Sequence, residues 1–355
     1  MAMILAINPG STSTKLAVYG GGALVFEQAI QHDDDVLAPF RDRSILDQLE
    51  LRLGAVHNVL DSRGIDRGDV DATVGRGGLL RPLRSGTYRV NDAMLEELRA
   101  APRGEHASNL GAFLARELAE ASGCPAFIVD PVSVDEWDDE ARLSGLAGLD
   151  RECLSHALNT KAVAKRYAKE VGSPYDALRL VVVHMGSGHS VSAHRDGRMV
   201  EVTNSREEGP FSTERAGTVP TVRLVQRVLD DGLSFGAAER MLFREGGLHS
   251  YLGTRDLREI EARIDDGDDE ARRVFDAMVY QLRKAVGAMA AVLDGDVDAV
   301  LLTGGMAKSE RLVGELSARL AWVAPVHLYP GEDELRALAD GAARVLAGEE
   351  LALDY

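Results

Sequence analysis

The chain has 355 residues, enough for two domains with substantial cores, and its 45% apolar, 27% charged composition is that of a globular protein. A formal net charge of −17 and a pI near 5.0 argue against a nucleic-acid or anionic-membrane partner. Cys124 and Cys153 are too few for a disulfide framework or zinc site, no apolar run approaches the roughly 18 residues of a membrane span, and the first apolar run turns polar by Asn8, so a cytoplasmic protein without a secretory leader is expected.

Ile4 to Ile7 is a run of apolar β-formers that breaks at Asn8-Pro9-Gly10-Ser11-Thr12-Ser13-Thr14-Lys15, resumes over Leu16 to Tyr19 and reaches Gly20-Gly21-Gly22. The pattern predicts strand, polar turn, strand and tight turn, with a third strand near Leu24 to Ile30. Gly10 lets the backbone come close to a bulky anion, the hydroxyls of residues 11 to 14 can donate to it, and Lys15 adds a point charge suited to phosphate oxygens. A plain Ser/Thr-rich hairpin has the same composition, and the Walker A pattern is absent. Ser44 to Ser62 shows helical spacing through Ile45, Leu49, Leu53, Val56 and Leu60. A strand from Val70 to Gly75 runs into the glycine loop 75–82 with its arginines. Asn91 is expected to cap a helix through Leu98, and Ser108 or Asn109 a longer one carrying Leu110, Phe113, Leu114 and Leu118. Ala126 to Val129 is a short strand that delivers Asp130 to its carboxyl end, where α/β proteins keep their sites.

His156 to Val171 is helical, with His156 at its start and Asn159 one turn on. Leu180 to Val183 is a strand followed by His184-Met185-Gly186-Ser187-Gly188-His189-Ser190, a further strand, a turn at Asp196-Gly197 and a strand over Met199 to Val202. This repeats the opening unit about half the chain further on, as a duplicated domain should, and two such loops facing across a cleft would grip a polyphosphate. Glu208 to Gly217 has neither helix nor strand period. Glu270 to Leu293 carries one continuous apolar stripe. Ala299 to Thr303 is a strand running into Gly304-Gly305-Met306, a bare glycine pair that would admit a flat ring or ribose. Pro325 to Tyr329 is the last strand, and Pro330-Gly331-Glu332-Asp333-Glu334 opens the last helix. Acidic residues there also suit the helix dipole, so Asp333 and Glu334 keep two readings.

Several of these stretches form an ordered set: Asn8 to Lys15, Gly75 to Pro82, His106-Ala107-Ser108-Asn109-Leu110-Gly111, Val129-Asp130-Pro131-Val132, His156-Ala157-Leu158-Asn159, Gly209-Pro210-Phe211-Ser212, Leu302-Thr303-Gly304-Gly305 and Pro330 to Leu335. In this set the chain resembles the acyl-carboxylate kinases of the acetokinase family, the butyrate kinases in particular, within the superfamily of acetate and sugar kinases, chaperone ATPases and actin. The resemblance implies an α/β fold with duplicated ribonuclease-H-like (actin-like ATPase) domains flanking a nucleotide cleft. Residues 1–155 with the C-terminal helix 334–355 would form one domain, and residues 156–333 the other, holding the adenosine. It implies ATP/ADP and Mg²⁺ as cofactors, a short-chain carboxylate substrate, no nucleic acid or membrane partner, and a homodimer or higher homo-oligomer.

By the same resemblance Asn8, Ser11, Ser13 and Lys15 belong to the first phosphate loop and His184, Gly186, Ser187 and Gly188 to the second, with Thr303, Gly304, Gly305 and Met306 beside the nucleotide. His156 and Arg215 match residues on the transferring phosphoryl group, Arg76 one on the substrate carboxylate, and Asp130 a metal- or geometry-setting carboxylate. Asn8, Asp333 and Glu334 match the magnesium side. The implied reaction is phosphorylation of butanoate to butanoyl phosphate; alternatives are isobutyrate or isovalerate as acceptor, or a hydroxyl, sugar-type kinase with Asp130 as base. A carboxylate is already ionised at pH 7 and needs no base, whereas a hydroxyl does. The chain departs from the acetate kinases by placing Gly75 where they carry Val and Ser155 where they carry Phe, two losses of bulk expected to enlarge an acyl pocket. It also carries Ser187 and His189 where butyrate kinases usually have Gly and Ile.

Overall fold

The computed structural model describes residues 2–41 and 43–355. The chain forms two compact units, Met1–Asp135 with Asp333–Tyr355, and Glu136–Glu332.

In chain order the first unit contains β1 (Met3–Pro9), β2 (Ser13–Gly20), β3 (Ala23–Gln31), α1 (Asp34–Leu37), α2 (Leu49–Ser62), β4 (Ala72–Arg76), β5 (Thr87–Arg89), α3 (Asp92–Ala100), α4 (Leu110–Ser122) and β6 (Ala126–Val129). The second contains α5 (Ala157–Val171), β7 (Leu180–Met185), β8 (His189–Arg195), β9 (Arg198–Val202), α6 (Thr221–Asp230), α7 (Phe235–Phe243), α8 (Gly247–Leu252), α9 (Leu257–Asp265), α10 (Asp269–Val292), β10 (Ala299–Gly304), α11 (Glu310–Leu320) and β11 (Val326–Pro330). The chain then returns to the first unit with α12 (Glu334–Leu346).

The first sheet runs β3-β2-β1-β4-β6-β5 and the second β11-β10-β7-β8-β9. In each, an antiparallel three-strand meander leads into parallel strands: β1 with β4 and β4 with β6, β7 with β10 and β10 with β11. The two sheets therefore repeat one topology, with β5 as an added edge in the first.

Alternation along each central strand explains the layers. In β7, Val181 and Val183 face α10, while Leu180 and Val182 belong to the cluster with Val163, Ala164 and Tyr167 of α5. A strand covered on both faces reads as unbroken apolar sequence, which is how β1, β7 and β10 read. Helix α10 begins at Asp268, whose carboxylate accepts from the amides of Glu270 and Ala271 at 3.0 and 2.9 Å, and it buries Ala271, Val274, Phe275, Met278, Leu282 and Val286 on one stripe. Each large member of that stripe stabilises the fold by about 1.5–3 kcal/mol. In the first unit Leu5 and Ile7 of β1 pack with Leu53, Val56 and Leu60 of α2 and Leu110 and Leu114 of α4, and α12 lies against β1, β4 and β6.

Residues 136–155, expected with the first domain, sit in the second unit. Glu136 accepts from Lys161 Nζ at 2.6 Å and from the Met199 amide at 3.0 Å, and Arg151 spans Glu201 and Glu208 at 2.8 and 2.7 Å. These bonds stitch the segment to α5 and β9. The four helices α6 to α9 occupy a stretch for which the sequence reading named no elements. No helix among the described residues is long and apolar enough to cross a membrane.

Candidate functional site

In the first unit the polar groups collect at the carboxyl ends of β1 and β4 and the start of α12. Asn8, opposite Lys15 in the β1–β2 register, is buried, and its Nδ2 donates to Glu334 Oε2 at 2.5 Å. Arg76, the last residue of β4, pairs through Nη1 with Glu334 Oε1. The sequence reading had Arg76, Asn8 and Glu334 in separate motifs; the parallel pairing of β1 with β4 and the packing of α12 on both bring them to one carboxylate. Asp333 stands exposed at the N-cap of α12, and its side chain makes no capping bond. At the start of β2 Ser13 is half-buried, Thr14 buried and Lys15 exposed, and in the turn before it Ser11 is exposed.

Asp130 follows β6 in a left-handed conformation, φ 39°. Its Oδ1 accepts from Ser85 Oγ at 2.6 Å and from the Gly86 amide at 2.8 Å, so this oxygen holds the turn at residues 85–86. The expected cap at Ser108 or Asn109 is different in the structure. Asn109 Oδ1 accepts from the Leu79 amide at 2.9 Å and Nδ2 donates to Gly104 O at 3.3 Å, so Asn109 braces the arginine-bearing glycine loop instead of capping α4. His106 caps the short 3₁₀ turn 107–109 that leads into α4, accepting at Nδ1 from the Ser108 amide at 3.2 Å.

The loss of bulk at Gly75 does not open a pocket. A Cβ on Gly75 would lie 1.9 Å from the carbonyl oxygen of Gly111, because the backbones of β4 and α4 touch there, so the glycine is required by close approach and leaves no room. Ser155 is buried beside Met199, its Oγ 3.9 Å from the sulfur.

In the second unit His156 precedes α5 and stacks on His184, with ring centroids 3.9 Å apart and planes at 10°. His156 Nδ1 lies 2.8 Å from Ser190 Oγ. His184 Nδ1 donates to Asn159 Oδ1 at 2.8 Å, and its Nε2 lies 3.2 Å from Glu332 Oε1. Gly186 to Gly188 form the bend between β7 and β8. A Cβ on Gly188 would meet Arg215 Nη1 at 2.5 Å, which places the guanidinium directly over this bend. Arg215 Nη1 donates to Ser205 O and Oγ, both at 3.0 Å, and burial pushes its pKa down. Ser212 Oγ donates to the carbonyl of Ser187 and accepts from the Arg215 amide at 3.1 Å, so the loop 208–217 is tied to the bend.

Thr303 pairs in register with His184, and its Oγ1 donates to Gly331 O at 3.3 Å. Gly304 and Gly331 exchange backbone bonds of 3.1 and 2.9 Å, joining the turn after β10 to the turn after β11. His189 is fully buried, with Nε2 3.4 Å from Met306 Sδ; burial, with the charges of His184 and Arg215, pushes its pKa down to about 3. Sequence reasoning missed Ser190, Ser205 and Glu332, which orient named residues. Ser190 and Glu332 lie inside stretches already singled out but were given no role there, whereas Ser205 lies in an unpatterned loop.

A resident metal was expected at Asn8, Asp333 and Glu334. Among the described residues no group of three histidine, cysteine or acidic side chains is placed to hold an ion. The donor types still fit Mg²⁺, which is held by one or two carboxylates and completes its octahedron with water and phosphate oxygens.

A model of the "Acetokinase family" matches residues 151–330, half of the chain. The structure is similar to that of Porphyromonas gingivalis acetate kinase, with a TM-score of 0.80 at 19% identity over 98% of this chain and 100% of that one. It is also similar to a propionate kinase from Francisella tularensis (TM-score 0.72, 16% identity, 95% and 98% covered) and to acetate kinase from Entamoeba histolytica (0.77, 14%, 96% and 99%). At these identities the likenesses establish the shared fold of two α/β domains with mixed sheets.

Proposed function

The chain belongs to the acetokinase family and is an ATP-dependent carboxylate kinase, and from that premise we propose that its acceptor is butanoate, converted reversibly with ATP to butanoyl phosphate and ADP. The observation that carries a carboxylate over a hydroxyl acceptor is Asp130, the one candidate base, whose Oδ1 is already engaged by Ser85 and Gly86. The ordered motif set supports a four-carbon acid. Gly75 and Ser155 lend it nothing, since each is packed against its neighbours.

The chemistry asks little of the protein beyond placing one anion against another and meeting the charge on the equatorial oxygens. In this reading Arg76 exchanges part of its pairing with Glu334 for the acceptor carboxylate. His156, oriented by Ser190 and by its stack on His184, hydrogen-bonds the transferring phosphoryl group. Arg215, held by Ser205 over the second loop, meets the charge that grows on it. Ser11, Ser13 and Lys15, with the bend at Gly186, Ser187 and Gly188, take the remaining phosphates, while Thr303 to Met306 border the nucleoside. Asn8, Asp333 and Glu334 would hold Mg²⁺, which neutralises phosphate charge when bound. Transfer is direct and in-line, without a phosphoenzyme.

The proposal extends to assembly and location. Val222, Val225 and Leu229 of α6 are 84, 54 and 72% exposed and lie on one helix face, which supports a homodimer or higher homo-oligomer. The two free thiols support a cytoplasmic location.

The test is to trap acyl phosphate with hydroxylamine from ATP, Mg²⁺ and a series of acids from formate to valerate, including isobutyrate and isovalerate. A maximum at butanoate is expected. A maximum at acetate or propionate would overturn the chain length while keeping the chemistry, and a branched maximum would move the acceptor to isobutyrate or isovalerate.

A further inference from the structure

Helix α2 carries Arg52 on its apolar face, between Leu49 and Val56, and the residue is completely buried. A buried guanidinium ordinarily keeps a carboxylate partner, because an unpaired charge in a protein interior is costly. Arg52 instead gives every hydrogen bond to a neutral acceptor. Nε and Nη2 donate to Gln48 Oε1 at 3.1 and 2.8 Å, Nη1 to Ser13 O at 2.9 Å and Thr14 Oγ1 at 3.0 Å, and Nη2 to Ser11 O at 3.2 Å. Among the described residues no carboxylate pairs with it.

The acceptors reveal what this cation is for. Ser11 lies in the turn between β1 and β2 and Ser13 opens β2, and the carbonyl between them is bound too: Thr12 O accepts from the His32 amide at 2.8 Å, and Ser13 O also accepts from the Gly10 amide at 2.7 Å. The carbonyls of Ser11, Thr12 and Ser13 are therefore engaged by donors of the protein. Carbonyl oxygens are the part of a loop that repels an anion; amides and hydroxyls are the part that attracts it. With the carbonyls held, the turn is set up to take negative charge, and a whole positive charge without a counter-ion lies behind it. Histidine 32 does not compete, since burial and the Arg52 charge push its pKa down.

We propose that Arg52 is a positioning residue and hidden counter-charge for the loop Asn8–Lys15, holding its carbonyls away from the bound anion and favouring the nucleotide by the number of phosphates it carries. This rests on the reading of that loop as a phosphate loop. The guanidinium keeps its charge at neutral pH, because burial pushes its pKa down only to about 10.

The experiment compares wild type with Arg52→Met and Arg52→Lys, measuring the melting temperature and the binding of adenosine, ADP and ATP by calorimetry. Arg52→Met should weaken ATP by roughly ten- to a hundredfold and ADP by less, with adenosine held within twofold. Arg52→Lys, which keeps the charge and loses the forked grip, should recover part of the ATP affinity. Equal losses for adenosine and ATP, or no loss in a folded variant, would overturn the proposal. Should Arg52→Met fail to fold, the adenosine-to-ATP ratio of Arg52→Lys decides in the same way. Binding is the readout, so failure of wild type to phosphorylate any acid would count against the carboxylate-kinase reading separately.

Discussion

Histidine 189 shows how burial alone can make one side chain a source of acid sensitivity. The imidazole is sealed beneath Met306, its Nδ1 meets no hydrogen-bond partner among the described residues, and its pKa is pushed from 6.5 down to about 3. Between those values the unfolded chain binds a proton that the folded chain refuses. Stability contributed this way is complete above about pH 6.5 and is lost as the pH falls toward 3, at up to roughly 1.4 kcal/mol per pH unit. His194 adds to the same slope: it is fully buried, held by Tyr175 and Ser192, and its pKa is likewise pushed down. We predict that His189→Ile flattens the dependence of unfolding free energy on pH between 6 and 4 by about one imidazole's share. Parallel curves for variant and wild type in denaturant titrations would count against it.

At the scale of elements, the contact of β4 with α4 is the tightest constraint on the first unit. A Cβ on Gly75 would reach the Gly111 carbonyl, and one on Gly111 would come within 2.1 Å of the Arg76 carbonyl. Thr73 Oγ1 donates to Ala115 O at 2.6 Å one turn further along. Because the obstacle is backbone on both sides, neither element can yield without moving Arg76, which closes β4. Gly75→Val should therefore destabilise the protein by about 3 kcal/mol or more, beyond ordinary overpacking, and should lower activity with acetate as well as with butanoate. The opposite outcome, a folded variant whose preference shifts to acetate with full turnover, would restore Gly75 as a determinant of acyl length. Thermal melts and the hydroxamate assay check both halves.

At the scale of the whole molecule, the helices that follow the loop 208–217 present apolar surface that no described residue covers. Val222, Val225 and Leu229 share a face of α6, and Phe235 and Tyr251 in the same unit are 81 and 61% exposed. Arg223 lies in the first turn of α6 and Asp230 in its last, where Arg227 is already paired with Asp231 at 3.2 Å, so two copies running antiparallel would set Arg223 of each against Asp230 of the other around the apolar residues. The double substitution Val222→Glu with Leu229→Glu should shift the particle to monomer in light scattering while its melting temperature stays within a few degrees. An unchanged mass would remove this face from the assembly.

Much of this protein was legible in its residues alone. Strand period, glycine turns and the repeat of one unit in each half disclosed a duplicated α/β fold, because those signals are local; the reading of the hydroxyl- and glycine-rich loops as phosphate loops belongs to the proposal. Tertiary structure decided what depends on packing between distant segments. It showed that Gly75 is small because a helix backbone lies against it, that Asn109 braces a loop it does not precede, and that Asn8 and Arg76 meet at Glu334. It also showed that Arg52, on a helix face that reads as core, donates hydrogen bonds to the turn of the β1–β2 hairpin. A residue's spacing tells which face it occupies; only the neighbours brought to that face by parallel strands and crossing helices tell what it does there.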